Sequence, residues 1–313
     1  MLTLLLAAAA AGGPSRLILV GDTGVDGPHP VAAAVAQAIT DRLYEVPGTR
    51  LVALGDLFYD RPPIELPPAE CVAAVVARYR QFYDAPTAAH PDGYPDDAVI
   101  YAVAGNHDVA GGAGWSVAAT ACTAAAFAQL GWRTGADGIR LTSRVDAWPE
   151  ADAELMLVEE HRQHFDGAPD TSAAWSAPDP AWRIAMSHYP LLTWSPKNDE
   201  TPPPNAAATD FDLWLAGHAH VLQVFYGAAP AGHKVAAITS GATPASYPSK
   251  KNPGTPKPLF ELAGTQSEGG YVILDLEGDR LTVTPVVCTA AGCADEGPLR
   301  FRRAPGGRGV RKG

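Results

Sequence analysis

Positive charge is what this 313-residue chain has little of: 23 Lys and Arg stand against 34 Asp and Glu, for a net charge of −11. The deficit is uneven. Arg300–Gly313 holds six basic residues and no acidic one, which leaves −17 on the remainder. An acidic body argues against nucleic acid as a partner, because a phosphate backbone demands a basic surface. Cysteine is scarce too, four in all, and none falls in a metal-ligand spacing. No internal repeat recurs and no linker cuts the chain, so one domain is expected over residues 16–303, followed by a basic, disordered tail at 304–313.

Apolar residues, by contrast, make up 47% of the sequence, enough for a substantial core. Gly (31) and Pro (29) are abundant and imply many turns and long loops rather than long helices. The opening MLTLLLAAAAAGG is too short to span a bilayer but fits the apolar part of a secretory signal over residues 1–13, which would make the protein secreted or periplasmic. No Lys or Arg precedes that run, so an Ala-rich lead-in to a cytoplasmic protein is the alternative. Cys288 and Cys293 flank a short turn and are placed to pair in an oxidising compartment. Cys71 and Cys122 fall in helical segments, where free thiols and a bridge are equally expected.

The most informative stretch is Leu51–Asp60, LVALGDLFYD. Its first four residues read as a buried strand, and Gly55 lets the chain turn so that Asp56 sits over the sheet edge. The pattern recurs four times. Arg16–Val20 ends in Gly21-Asp22, Val99–Ala104 in Gly105-Asn106-His107-Asp108, Trp182–Met186 in Ser187-His188-Tyr189-Pro190, and Leu213–Ala216 in Gly217-His218-Ala219-His220. In open α/β sheets ligands bind at that end of the strands. Asp22, Asp56, Tyr59, Asn106, His188, His218 and His220 together form a mixed nitrogen–oxygen ligand set too large for one ion, which points to two metal ions bridged by a carboxylate.

Helices are expected over Val31–Tyr44, Ala69–Tyr83 and Val117–Leu130. Further strands are expected at Ile139–Thr142, Leu155–Val158, Val221–Tyr226, Lys234–Ile238 and Tyr271–Leu276, with a hairpin over Asp275–Val283. Strands mixed with helices early and mostly strands late suggest two sheets packed face to face with helices outside. The Pro/Asn-rich Ser195–Pro204 is expected to act as a rim over the site. Trp194 reads either as a wall of the pocket or as a core residue. His161 and His164 read as a solvated face, and His29, His90 and His233 carry no assigned role.

The ordered set GD, GD, GNHD, H and GHAH resembles the calcineurin-like metallophosphoesterase superfamily over roughly Arg16–Arg303. Most branches carry a His two residues after the first Asp. Here that place is Gly24, and Tyr59, three residues after the second Asp, matches the purple acid phosphatases, of which the small tartrate-resistant type is the nearest likeness. The resemblance implies an α/β fold, a four-layer αββα sandwich of two mixed β-sheets flanked by helices. It places Fe(III) at Asp22, Asp56, Tyr59 and His220, and Zn(II), Mn(II) or Fe(II) at Asp56, Asn106, His188 and His218, with a metal-bound hydroxide attacking a phosphate monoester in line. His107 is then placed to protonate the leaving group, and Asp108 to orient His107. The implied protein is a monomer acting on a small phosphorylated substrate, without a membrane anchor. A phosphodiesterase or nucleotidase, or a weakly catalytic metal-containing binding protein, are the competing readings. The departure from the family lies before His188, where DTSAAWSAPDPAW replaces the usual amphipathic helix.

Overall fold

The computed structural model describes residues 14–24, 29–59, 61–111, 114–137, 140–159, 174–175, 182–195, 210–241, 248–263 and 267–313. Residues 1–13, His161, His164 and nearly all of the Ser195–Pro204 connection lie outside these. No described helix is long and apolar enough to cross a membrane.

The first half alternates strand and helix. Strand β1 (Ser15–Val20) leads to α1 (Pro30–Glu45), which opens with Pro at its first turn and His29 as its cap, Nδ1 accepting from Val31 N at 3.3 Å. After β2 (Arg50–Leu54) come α2 (Pro68–Phe82) and β3 (Val99–Val103). A two-residue hairpin, β4 (Ala110–Gly111) and β5 (Gly114–Trp115), precedes α3 (Val117–Gln129), capped by Ser116. The strand expected at Ile139–Thr142 shrinks to half of a second small hairpin, β6 (Ala136–Asp137) with β7 (Arg140–Leu141). Then come β8 (Arg144–Trp148), β9 (Ala153–Leu157), β10 (Trp182–Met186) and β11 (Leu213–Ala216).

The later chain is strands only among the described residues: β12 (Leu222–Ala228), β13 (Lys234–Ser240), β14 (Phe260–Leu262), β15 (Glu268–Glu277), β16 (Arg280–Thr289), β17 (Gly292–Asp295), β18 (Leu299–Arg303) and β19 (Val310–Lys312). Eight strands form one sheet in the order β19-β18-β16-β15-β1-β2-β3, with β17 on β16. Seven form the other, β14-β12-β13-β11-β10-β9-β8. Both are mixed: β1, β2 and β3 run parallel, as do β9, β10, β11 and β13, with antiparallel strands beyond them.

Every central strand is apolar on both faces, as a covered parallel sheet requires. Leu17, Leu19, Val52, Leu54, Tyr101 and Val103 face the other sheet, where Leu155, Ile184, Leu213 and Ile238 complete the inner core. Their alternates Ile18, Val20, Leu51, Ala53 and Ala102 pack under Val35, Ile39, Val75 and Phe127 of the three helices. The outer face of the second sheet, with Trp214 and Phe225, is met among the described residues by Trp175, Leu192 and Trp194 rather than by a helix. Trp194 is thus packed against this cluster, the core reading of the two that its sequence position allowed.

One reading of the sequence is corrected here, and one that it left open is decided. The basic tail is not disordered: β19 pairs antiparallel with β18, and Gly309 N and Arg308 Nη1 both donate to the buried Asp212 carboxylate. It runs as a strand because β18 presents a free edge and Asp212 supplies a buried anion for Arg308. Cys71 and Cys122 are not free thiols but form a disulfide between α2 and α3, alongside the expected Cys288–Cys293 bridge. Packing of the two helices side by side brings the sulfurs together, which neither segment reveals alone.

Candidate metal centre

The parallel strands of both sheets end at one edge, and each of the five motifs leaves its strand there. Asp22, Asp56, His218 and His220 all take positive φ, 56°, 51°, 64° and 51°, although none is glycine. Such backbone costs about 1–3 kcal/mol per residue and persists where the surroundings impose it for function. Here each left-handed step turns its side chain off the strand axis towards the common edge. Gly105 is required by close approach, since a side chain there would collide with the amide nitrogen and Oδ1 of Asp56.

Two triangles of lone-pair atoms result. In one, Tyr59 Oη lies 2.8 Å from His220 Nε2 and 3.3 Å from Asp22 Oδ1, with His220 Nε2 3.4 Å from Asp22 Oδ1. In the other, Asn106 Oδ1 lies 3.1 Å from His188 Nε2 and 3.0 Å from His218 Nδ1, and the two imidazole nitrogens are 3.1 Å apart. Atoms bound at ~2.1 Å to one ion sit about 3.0 Å apart in octahedral and about 3.4 Å apart in tetrahedral coordination. The edges of both triangles match. Asp56 joins them, falling within metal-binding reach of Asp22 and His220 on one side and of His188 and His218 on the other. All seven expected ligands meet at this edge.

The donor chemistry fits cations rather than an internal hydrogen-bond network. His188 Nδ1 is 2.8 Å from the carbonyl oxygen of Leu54, which can only accept, so Nδ1 carries a proton and Nε2 is left facing Asn106 and Asp56, where it takes either a second proton or a metal ion. Asp56 is fully buried. Its Oδ1 accepts from His107 N at 2.9 Å, and its Oδ2 has no hydrogen-bond partner. Burial opposes an imidazolium at His188, but Asp56 outweighs it and pushes the group up to about 9, while His188 in turn holds Asp56 well below the usual carboxylate range. An ion held by Asp56 and His188 would take the place of that proton.

Tyr59 is pushed the opposite way: burial, then Asp22 and Asp56, hold its phenol well above the usual ~10. The His107 ring packs edge-on against Tyr59 at 4.9 Å and is half-buried at the rim. Asp108 does not play the role read from sequence. Its oxygens accept from Leu57 N at 2.9 Å and Gly105 N at 2.7 Å, and burial together with Asp56 pushes it up to about 7. The other described histidines are occupied elsewhere: His29 caps α1, His90 stacks on Tyr44, and His233 binds the Phe211 carbonyl. Sequence reasoning missed the Leu54 carbonyl, Thr23, whose hydroxyl bonds Tyr83 at 3.0 Å, and Tyr189, whose ring packs on both His188 and His218. Only Tyr189 carried a signal, its adjacency to His188.

The sequence profile of the calcineurin-like phosphoesterases matches residues 15–222, two thirds of the chain, a span that contains all seven candidate ligands. The chain belongs to the calcineurin-like phosphoesterase family. No curated protein matches at a significant level. Among solved structures, the chain is similar to GAP50, the anchor in the inner membrane complex of Plasmodium, at 13% identity and a TM-score of 0.55, covering 93% of this chain and 89% of that one. It is also similar to a dimetal phosphatase from Danio rerio, at 12% identity and a TM-score of 0.48, covering 90% and 98%. Membership of the family makes the two-sheet sandwich a calcineurin-like phosphoesterase fold, with the Asp/His clusters at the edge where a metal-dependent phosphoesterase needs them.

Proposed function

We propose that this calcineurin-like phosphoesterase is an acid phosphatase of the purple type, cleaving small phosphate monoesters. The single observation behind that choice is Tyr59 Oη, set in one triangle with Asp22 and His220. A phenol held above its usual range by burial and by two carboxylates becomes a ligand only for a strongly polarising cation, which favours Fe(III) at Asp22, Asp56, Tyr59 and His220. The softer triangle of Asn106, His188 and His218 suits Zn(II), Mn(II) or Fe(II), with Asp56 shared. Gly24 supports the same reading. A Cβ there would lie 2.7 Å from the amides of Phe58 and Tyr59 and 3.0 Å from the Asp56 carbonyl, so the loop that delivers Tyr59 excludes a histidine at position 24.

When bound, the ion pair supplies Lewis acidity, polarising a phosphoryl oxygen and lowering the pKa of water. The chain does the rest. Asp22, Asp56 and Tyr59 bring three negative charges, leaving a surplus of positive charge that suits a phosphate dianion. The His188–Leu54 bond fixes the tautomer that offers Nε2. His107, at the rim beside Tyr59, holds a proton for the leaving alkoxide oxygen. Pairing of all four cysteines supports an oxidising compartment, secreted or periplasmic.

The test is spectroscopic and chemical. Purified protein should carry two metal ions and a visible charge-transfer band that Tyr59→Phe abolishes, and should prefer p-nitrophenyl phosphate to its bis-ester. Asp56→Asn should lose turnover and metal together. A colourless protein with two zinc ions would remove the iron assignment; a preference for diesters or nucleotides would replace the phosphomonoesterase reading.

A further inference from the structure

The β2–β3 ladder stops at the Leu54–Val103 pair, just before both strands release their ligands. Beyond it the two loops are joined by side chains. Asp56 Oδ1 accepts the backbone N–H of His107, in the loop after β3. Asp108 Oδ1 returns the contact, accepting the N–H of Leu57 in the loop after β2. Asp108 Oδ2 takes Gly105 N at 2.7 Å, closing the turn that carries Asn106. The Asp108 carbonyl accepts from Thr123 Oγ1 at 2.6 Å, and Thr123 sits on α3 beside Cys122, which is bonded to Cys71 of α2. Asp108 is wholly buried and belongs to neither ligand set.

We infer that Asp108 is a positioning residue: with Asp56 it forms a reciprocal carboxylate clasp that holds the bridging ligand and Asn106 at coordinating distance, anchored to α3 through Thr123. This rests on the two-ion reading above. Each carboxylate fixes the loop that bears the other, so the separation of Asp56 from Asn106 is set before any ion arrives. Groups that orient metal ligands are typically worth 10- to 100-fold in affinity or activity.

Asp108→Asn tests it, since the amide keeps the shape but turns an N–H against either Leu57 or Gly105. Protein stripped of metal is titrated calorimetrically with Zn(II) alone. The parent should take up two ions; the variant should bind them 10- to 100-fold more weakly, with little change in the urea midpoint of the stripped protein. A purely structural role gives the reverse, a lowered midpoint with unchanged Zn(II) affinity in the folded fraction, and would overturn the inference. Thr123→Val keeps both carboxylates and removes only the anchor. It should weaken Zn(II) binding several-fold even if Asp108→Asn fails to fold, and parent-like binding by this variant would count against the clasp. Failure of the parent itself to bind two ions would remove the two-ion reading, and this inference with it.

Discussion

Gly24 and Tyr59 are two halves of one choice. Gly24 N donates to the Asp56 carbonyl at 3.0 Å and Tyr59 N to the Gly24 carbonyl at 3.3 Å, so the loops after β1 and β2 lie directly against each other. Gly24→His, which installs the residue most of the superfamily carries, should cost about 1–3 kcal/mol through overpacking and displace Tyr59. Urea denaturation and the visible band measure both effects; an undisturbed band would show that the loops can separate. The candidate ligands were legible because they cluster just past the ends of apolar runs. The left-handed backbone of Asp22, Asp56, His218 and His220 was not, since the mild tendency of Asp and His towards positive φ does not single out these positions and only the packed edge imposes it.

Strands β10 and β11 match their expected bounds residue for residue, being short apolar runs closed by Ser187 and Gly217. Helices α1, α2 and α3 match within a residue or two, because their apolar spacing and their Pro and Ser starts are local signals. By contrast β8, β14, β17, β18 and β19 went unread. Segments such as GCAD and LRFRR have no apolar alternation strong enough to stand alone and become strands by pairing with a neighbour. The two disulfides differ in reach. In the chain-entropy model, closing 51 residues between Cys71 and Cys122 stabilises by about 4 kcal/mol, against about 2 kcal/mol for the five-residue Cys288–Cys293 loop. Calorimetry on the Cys71→Ser/Cys122→Ser and Cys288→Ser/Cys293→Ser pairs should show the larger drop in Tm for the first; equal drops would contradict the loop-length account.

Across the whole molecule, the C-terminal segment joins the two sheets. β19 extends the eight-stranded sheet, while Arg308 and Gly309 reach Asp212 at the start of β11 in the other. Asp212 also accepts from Arg183 N at 2.9 Å on β10, so the tail is tied to both strands that end in His188, His218 and His220. Deleting residues 304–313 should therefore destabilise the protein by at least the ~1–3 kcal/mol of a lost buried hydrogen bond to a charged group. Thermal unfolding of the truncated chain checks this; an unchanged Tm would restore the picture of a solvated tail. Which side chains gather at the edge, and on which strands they ride, could be read from the sequence alone, because residue type and strand burial are written locally. Only the tertiary structure decided what Asp108 holds, which cysteines pair and where the tail lies, since each depends on backbone atoms or neighbours that distant parts of the chain bring within reach.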